Sequence, residues 1–289
     1  MDMRLLVEMP AHAKVNLTLA ITGRRPDGLH TLDSIMHSVD LADRVALYET
    51  GDGRLAVRCD HPDVPENDSN LAAKAAAAFF SCANIPCPGL LIDIDKRIPV
   101  TGGLGGGSAD AAAVLNGLNG IYGRPLSASA LIALAHTVGS DVPFCLTGGC
   151  ARVTGTGEEI TPLPPLGKGV LVLVSCGEKA STGEMYRRFD EEIIGNNVTA
   201  TNTVAIAAPM SLALAIAASD LPAVGALLYN RFEAFYNTAA LAALMMANGA
   251  LGTCLSGSGP TFFGLFADRA TAERSVAALD TAAIICGLL

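Results

Sequence analysis

The sequence predicts an α+β fold with two domains. Strand-like alternation of apolar and polar residues occurs in both halves of the chain, and so do helical patterns with apolar residues three and four positions apart. Strands and helices that share one half are expected to pack on one another, which is the α+β arrangement. Prolines at positions 162, 164 and 165 keep the chain extended and predict the junction. We therefore divide the chain into residues 1–160 and 161–289.

The first domain is predicted to begin with strands and to continue with helices. Strands are expected at residues 3–7, 13–21, 34–39, 43–49, 54–58, 91–95 and 151–154. A helix at 71–82 follows Asn70, whose side chain can cap it, and a helix at 128–137 follows Ser127 in the same way. Between them, residues 109–119 carry apolar side chains along one helical face.

The second domain is predicted to open with a buried strand at residues 170–174, where the apolar run is continuous. Helical patterns follow at 182–188, 210–218, 221–235 and 239–247. Strands at 252–255 and 261–267 flank a short loop, and a last helix at 269–279 begins behind Asp268. Both predicted domains therefore mix the two kinds of element.

The composition describes a globular chain of 289 residues, 51% of them hydrophobic. Its formal net charge of −9 argues against a nucleic-acid partner, which would require a basic face. No apolar run reaches the ~18 residues of a membrane span, and the N-terminus lacks a signal-peptide pattern. The eight cysteines show no metal-ligand spacing, and those in apolar stretches are expected to be reduced core residues. We expect a cytoplasmic protein without nucleic-acid or membrane partners; its oligomeric state stays open, a homodimer included.

Residues 101–108 form a glycine-rich loop between the strand at 91–95 and the helix at 109–119. A glycine loop before a helix N-terminus suits an anion, because backbone N–H groups and the helix dipole both face the ligand. A flexible turn is the alternative, and the close flanking strand and helix argue against it. The loop has no Walker lysine after its glycines and no G-x-G-x-x-G pattern. It is therefore predicted to be a third kind of phosphate site.

Two further segments carry polar side chains in unusual places. Lys14 and Asn16 alternate with Val15 in an otherwise apolar strand, so both emerge on one sheet face, either in a polar cleft or toward solvent. Asp141 stands in a Gly-Ser-Asp-Val-Pro turn. There it is either a helix cap or Asx turn, or a carboxylate that accepts a proton from a hydroxyl. These residues alone leave each alternative open.

A histidine and a second glycine loop complete the set of candidates. His30 follows the turn Pro-Asp-Gly-Leu at 26–29, and it is either a surface histidine or a ligand contact. Residues 256–259, Ser-Gly-Ser-Gly, connect two predicted strands and form either a plain hairpin turn or part of a site. The order of all these segments along the chain carries more information than any one of them.

In this order the segments resemble the motifs of the GHMP kinases, the superfamily of galactokinase, homoserine kinase, mevalonate kinase and phosphomevalonate kinase. The resembling segments are residues 13–17, 99–109 and 256–259. The forms Thr-Gly-Arg-Arg-Pro-Asp-Gly-x-His, Gly-Gly-Leu-Gly-Gly-Gly-Ser-Ala-Asp-Ala-Ala and Gly-Ser-Asp-Val-Pro-Phe are most similar to one branch. That branch phosphorylates a cytidine diphosphate-linked methylerythritol in the non-mevalonate isoprenoid pathway. The resemblance covers nearly all of the first half and returns at 255–266.

The resemblance implies a GHMP kinase fold, with an ATP-binding, ribosomal-protein-like N-terminal domain and a ferredoxin-like C-terminal domain. It implies ATP-dependent phosphorylation of the substrate's 2-hydroxyl, with Mg²⁺ accompanying ATP and Ser108 offering its hydroxyl to phosphate or metal. Asp141 is then the general base and Lys14 its catalytic partner. Substrate binding is implied for Asn16, His30, Tyr186 and Asp141, and ATP binding for the loop residues Pro99, Val100, Thr101, Gly102, Gly103, Leu104, Gly105, Gly106, Gly107, Ser108 and Ala109.

Two positions depart from the pattern of the superfamily branch. His12 stands where proline is usual, and Leu29 stands where a tyrosine is expected to stack on the base. Because leucine covers a base by apolar contact only, cytosine recognition is expected to depend more on Tyr186 and His30.

Two alternative functions remain at this point. One is a kinase of the same superfamily acting on homoserine or mevalonate, and the other is a nucleotide-binding regulator that has lost catalysis. An active kinase requires Lys14, Ser108 and Asp141 to converge on one transferred phosphate, although they lie far apart in the sequence.

Overall fold

The computed structural model describes residues 3–178, 181–191 and 202–289, and it mixes strands with helices as the sequence predicts. The strands are β1 (Arg4–Arg24), β2 (His30–Glu49), β3 (Leu55–Cys59), β4 (Leu90–Asp95), β5 (Cys150–Gly155), β6 (Glu159–Leu163), β7 (Val170–Ser175), β8 (Tyr229–Asn230), β9 (Gly252–Leu255), β10 (Thr261–Phe266) and β11 (Ala283–Gly287). The helices are α1 (Leu71–Ala83), α2 (Gly106–Ile121), α3 (Ala128–Val138), α4 (Val142–Thr147), α5 (Thr182–Phe189), α6 (Asn202–Ala217), α7 (Leu221–Ala226), α8 (Ala239–Ala247) and α9 (Arg269–Ala277). A short 3₁₀ helix, Arg231–Phe235, follows β8.

The chain forms two compact units, and each is assembled from separate segments. Unit 1 contains Met1–Lys14, Leu41–Val100 and Gly105–Gly148, and unit 2 contains Val15–Asp40, Thr101–Leu104 and Gly149–Leu289. The long strands β1 and β2 each contribute residues to both units. The single boundary predicted between residues 160 and 161 stays a prediction.

In unit 1, β4 pairs antiparallel with the end of β2 and parallel with β3. Its residues alternate between buried and partly buried, with Leu90, Ile92 and Ile94 facing the core. This confirms the predicted period of two. The helix α1 packs on α2 and on β3, and the alanines on its buried face allow that close approach.

The caps predicted from the sequence are present in unit 1. The Asn70 side chain accepts the N–H of Ala72 at the start of α1, and the Ser127 side chain accepts the N–H of Ala130 at the start of α3. The helix α2 begins at Gly106, three residues before the predicted start. The glycines after Gly105 therefore form the first helical turn instead of a separate loop.

The helix α4 was not predicted. The sequence analysis placed residues 139–143 in a turn, but Pro143 lies in the first turn of α4, where proline has no backbone hydrogen bond to lose. The residue that precedes this helix is Asp141.

In unit 2, an antiparallel sheet has the strand order β11-β7-β10-β9. Phe262 lies opposite Val174 on one side and opposite Leu255 on the other, and all three are buried. Met245 of α8 and Phe232 of the 3₁₀ helix join the same core. A second group of strands forms where β5 pairs with the first half of β2 and with β6.

The structure corrects several predicted elements of both units. The strands predicted at 3–7 and 13–21 are parts of one strand, β1, which begins at Arg4, and those predicted at 34–39 and 43–49 are parts of β2. The reason is that β2 keeps partners on both sides of Asp40, with His37 opposite Cys150 and Arg44 opposite Asp95. Pairing on both sides of Asp40 therefore keeps β2 continuous where the sequence pattern predicts two strands.

The proline segment and the helix predicted at 221–235 also differ from expectation. Pro162 lies in β6 opposite Ala151, and among the described strands β6 pairs with β5 alone, so this is an edge where proline is tolerated. The helix α7 ends at Ala226. Beyond it, the Asn230 side chain donates to the carbonyls of Leu255 at 2.7 Å and Gly257 at 2.8 Å. These tertiary hydrogen bonds replace the predicted helical ones.

Candidate active site

An ion pair between Lys14 and Asp141 is the centre of the chemistry available in unit 1. The Lys14 Nζ lies 3.3 Å from Asp141 Oδ2. The lysine side chain is 3% exposed, whereas the aspartate is 32% exposed. The Lys14 ammonium is therefore shielded from water, while one side of the Asp141 carboxylate is accessible to a ligand. The expected proximity of Lys14 and Asp141 is confirmed.

Asp141 occupies the N-cap position of α4 without acting as a side-chain cap. Its carboxylate makes no capping hydrogen bond, and its main-chain carbonyl accepts the N–H of Cys145 at 3.1 Å. The cap alternative considered for this residue is therefore not realised. Its oxygens are turned to Lys14 instead of to the helix.

The glycine at position 105 makes room for the lysine. Gly105 is the N-cap of α2 with φ +72°, in the left-handed region that favours glycine. A Cβ at this position would lie 3.0 Å from Lys14 Cγ and 3.1 Å from Lys14 Cε. Both the backbone angle and the lysine therefore require glycine here.

The N-terminus of α2 supplies backbone donors beside this glycine. The first helical hydrogen bond runs from Ala109 N to Gly105 O at 2.8 Å. The N–H groups of Gly106, Gly107 and Ser108 precede it, so they lie outside the intrahelical ladder. Donors in this position, together with the helix dipole, can hold a phosphate.

A buried cluster behind the same helix start escaped the sequence analysis. Lys96, just after β4, contacts Asp43 of β2 and lies 2.9 Å from Asp110 Oδ2 of α2. All three side chains are buried. A Cβ on Gly106 would lie 3.2 Å from Lys96 Nζ, so the cluster directly supports the first turn of α2.

Burial shapes the charges of this Lys96 cluster. Burial raises the pKa of Asp110 to about 7, and Asp110 Oδ1 has no hydrogen-bond partner among the described residues. Burial also opposes the charge on Lys96, but the carboxylates of Asp110 and Asp43 outweigh it and raise the lysine pKa. Asp43 Oδ1 further accepts the N–H groups of Arg97 at 2.6 Å and Ile98 at 2.8 Å. The lysine is thus bound to two carboxylates and does not substitute for a Walker lysine. The sequence offers little signal for this cluster, because Lys96 lies between Asp95 and Arg97 and Asp43 precedes Arg44.

In unit 2, residues from all three motif segments meet in one hydrogen-bond network. Asn16 Oδ1 accepts the N–H of Gly257 at 3.0 Å, and Asn16 Nδ2 donates to Ser34 Oγ at 2.8 Å. Ser256 Oγ accepts the N–H of Asn16 at 3.3 Å and donates to Gly103 O at 3.1 Å. The loop at 256–259 is therefore more than a plain hairpin turn, because it fixes the glycine loop.

Gly103 and Thr101 show how tightly the glycine loop is held within unit 2. Gly103 has φ +80°, and a Cβ there would lie 2.4 Å from Ser256 O. Thr101 has φ +59°, which is rare for a β-branched residue and costs about 1–3 kcal/mol. Such strain persists only where surrounding contacts hold the backbone. The described loop residues thus take conformations fixed by tertiary structure.

His30 and Tyr186 are brought together in unit 2. Their rings stack with centroids 4.8 Å apart and planes at 23°, and Phe189 meets the histidine edge-on at 6.1 Å. The His30 Nε2 lies 2.7 Å from Asp190 Oδ1, a partner that the sequence analysis did not identify. Leu29, at the position of the missing tyrosine, is 55% exposed.

Comparisons with known proteins identify the family of this chain. The chain matches the family model "GHMP kinases N terminal domain" over residues 70–149 and "GHMP kinases C terminal" over residues 212–284. A curated relative, 4-diphosphocytidyl-2-C-methyl-D-erythritol kinase of Gloeobacter violaceus, is 42% identical over 94% of this chain and 90% of its own length. The chain belongs to the 4-diphosphocytidyl-2-C-methyl-D-erythritol kinase family. A second relative of the same name, from Desulfitobacterium hafniense, is 42% identical over 94% of this chain and 91% of its own length.

Solved structures extend the comparison to the fold. The crystal structure of a 4-(cytidine 5'-diphospho)-2C-methyl-D-erythritol kinase matches with a TM-score of 0.74 and 32% identity, covering 98% of this chain and 99% of the other. Homoserine kinase from Cytophaga hutchinsonii has a TM-score of 0.78 at 17% identity, covering 98% and 94%. That second likeness shows the GHMP fold alone. Because it belongs to the 4-diphosphocytidyl-2-C-methyl-D-erythritol kinase family, this chain is a kinase. The members of this family use ATP.

The remaining features concern metal ions, membrane-spanning helices and cysteines. The described residues contain no group of three or more His, Cys, Asp or Glu side chains arranged to hold a metal ion. Within the described ranges, no helix combines the length and apolar character needed to cross a membrane. All eight cysteines are free thiols, and burial raises the pKa of Cys176 to about 11. Of the cysteines predicted to be core residues, Cys254 is buried, whereas Cys145 and Cys176 are partly buried.

Proposed function

We propose that this protein transfers the γ-phosphoryl group of ATP to the 2-hydroxyl of 4-diphosphocytidyl-2-C-methyl-D-erythritol. This reaction belongs to the non-mevalonate route to isoprenoid precursors. The observation that carries the proposal is the Lys14–Asp141 pair, 3.3 Å apart beside Gly105 at the start of α2, in a member of this kinase family. A catalytically silent regulator would have no need to preserve this pair.

Asp141 acts as the general base in this proposal. Its partly exposed carboxylate accepts the proton of the substrate hydroxyl as that oxygen bonds to the γ-phosphorus, and the bond between that phosphorus and the bridging oxygen of ADP breaks. General-base assistance of this kind contributes roughly 10²–10⁴-fold to a rate. The buried ammonium of Lys14 holds the carboxylate in place and offsets the charge on the attacking oxygen.

The N-terminus of α2 holds the ATP phosphates. Phosphoryl transfer depends mainly on positioning and on neutralising charge, and the N–H groups of Gly106, Gly107 and Ser108 with the helix dipole provide both. Mg²⁺ bound with ATP would neutralise further charge on the phosphate oxygens. The partly buried Ser108 at the helix start would offer this ion a hydroxyl oxygen, the kind of ligand that Mg²⁺ takes.

The cytosine is recognised by the aromatic pair of His30 and Tyr186. A base between two rings needs about 7 Å, two van der Waals separations, but these centroids are 4.8 Å apart. We therefore place the base against an outer face of the stacked pair, with Leu29 adding apolar contact. Asn16 acts on the substrate through the 256–259 loop that it holds.

In this proposal the enzyme is cytoplasmic, because its cysteines are free thiols. Free thiols such as those of all eight cysteines persist in a reducing compartment. Light scattering during size-exclusion chromatography distinguishes a monomer from the homodimer that the sequence leaves open.

A coupled ADP-release assay tests the proposed reaction. The purified full chain is given ATP and Mg²⁺ with the cytidyl alcohol, with homoserine or with mevalonate, and each product is examined by ³¹P NMR. We expect rapid turnover with the cytidyl alcohol and a new phosphomonoester at carbon 2. Preference for homoserine or mevalonate, or ATP binding without ADP release in all three reactions, would contradict the proposal.

A further inference from the structure

We propose that Asp190 is a positioning residue for base recognition, holding the His30 ring and the turn at residues 24–30 in place. This inference rests on the proposed function, because it concerns how the cytidyl substrate is read. Asp190 directly follows α5, 160 positions after His30 in the sequence. No motif of the sequence pointed to it.

The first support is the contact between the two side chains. The His30 Nε2 lies 2.7 Å from Asp190 Oδ1, and the histidine side chain is 8% exposed. A carboxylate at this distance fixes both the plane of the imidazole ring and the nitrogen that carries its proton. Because the same ring stacks on Tyr186, this contact also fixes the face of the aromatic pair.

The second support is that Asp190 reaches both ends of the turn. Its Oδ2 lies 3.2 Å from the Nη1 of Arg24, the last residue of β1, while Oδ1 binds the first residue of β2. Arg24 Nε in turn donates to the Gly28 carbonyl at 3.2 Å. One carboxylate therefore bridges the two strand ends from which the turn projects.

The third support comes from the neighbouring residue. Glu191 carries the same charge one position further, but it pairs with Arg187 on the exposed side of α5. Within the described ranges, its carboxylate forms no hydrogen bond or ion pair with the turn at residues 24–30. The contact with His30 therefore depends on the position of Asp190. A negative charge elsewhere at the C-terminal end of α5 does not make it.

Steady-state kinetics of the full chain test this role, with Glu191→Gln as the matched control. We expect Asp190→Ala to raise KM for the cytidyl alcohol about tenfold, the value of one charge-assisted hydrogen bond, and to leave KM for ATP unchanged. Asp190→Asn should have a smaller effect, because its amide oxygen still accepts from His30 Nε2. Glu191→Gln should match the wild type.

A double-mutant cycle separates positioning from a general structural effect. If Asp190 acts through His30, the double variant Asp190→Ala, His30→Ala loses clearly less affinity for the cytidyl alcohol than the sum of the two single losses. Additive losses, or an equal rise in KM for ATP, would overturn the inference. An unchanged KM in Asp190→Ala, while the wild type accepts the cytidyl alcohol, overturns this inference alone. Preference of the wild type for another alcohol overturns the proposed function as well.

Discussion

The Lys14 side chain packs so closely against Gly105 that a methyl group on the glycine would lie 3.0 Å from Lys14 Cγ. The same lysine ends 3.3 Å from the Asp141 carboxylate. The start of α2, the lysine and the aspartate are therefore coupled sterically as well as electrostatically. A change at the glycine is transmitted to the ion pair.

The first prediction follows from this coupling. Gly105→Ala should lower kcat by about tenfold or more, because the new methyl group displaces Lys14 by a few tenths of an ångström or more and the φ of +72° costs roughly 1–2 kcal/mol. Gly120→Ala, in the same helix with nothing within 4 Å of its added Cβ, is the control and should keep full activity. Turnover and circular dichroism melting of both variants check this. Equal activity of the two variants would contradict the coupling.

A second prediction concerns the proton acceptor. Asp141→Asn should lower kcat by about 10²-fold or more while affinity for a non-hydrolysable ATP analogue, measured by calorimetry, persists. The amide keeps the shape of the side chain but cannot take the proton. Lys14→Met should cause a similar loss, and the double variant should lose little more, since the two residues act as a unit. Near-full turnover of Asp141→Asn would remove this residue from the role.

A third prediction concerns the buried Lys96 cluster. Lys96→Met should lower the free energy of unfolding by about 3–5 kcal/mol, because it leaves Asp43 and Asp110 buried without their cation. The exposed Lys74 of α1 provides the control, and Lys74→Met should stay within about 0.5 kcal/mol of the wild type. Urea denaturation followed by circular dichroism measures both. Wild-type stability of Lys96→Met would show that the cluster does not support the fold.

A fourth prediction concerns pH and His37. This buried ring donates from Nδ1 to Ser38 O at 2.9 Å and accepts the N–H of Leu166 at 3.2 Å on Nε2. Burial lowers the pKa of His37 below its ordinary value of 6.5, so the unfolded chain takes up the proton first as the pH falls. The contribution to stability is complete above pH 6.5 and is lost below it, with a slope that approaches about 1.4 kcal/mol per pH unit.

Melting curves between pH 5 and 8 check the fourth prediction. His37→Gln should make the loss of stability below pH 6.5 less steep. His61→Gln, at a partly exposed position, should leave that loss unchanged. An identical pH dependence in the wild type and His37→Gln would assign the decline to other groups.

The sequence determined the local structure of this protein and the motifs of its family. The caps at Asn70 and Ser127 and the alternation of β4 are confirmed because each signal is complete within a few residues. The glycine segment also predicts an anion site, since its strand, loop and helix are consecutive, and that site stays a prediction. The pairing of Lys14 with Asp141 was expected from the family resemblance; no local pattern predicts it.

Only the tertiary structure decided which distant side chains meet. Asp190 reaches His30 across 160 positions, and Asn16 reaches Gly257 across 241. The strand β6 and the division of residues 221–235 were also decided this way, by sheet pairing and by the hydrogen bonds of Asn230. Such contacts depend on strand register and on packed surfaces contributed by many segments. A periodic pattern along one segment specifies its own buried face, but the partner of that face exists only once the chain has folded.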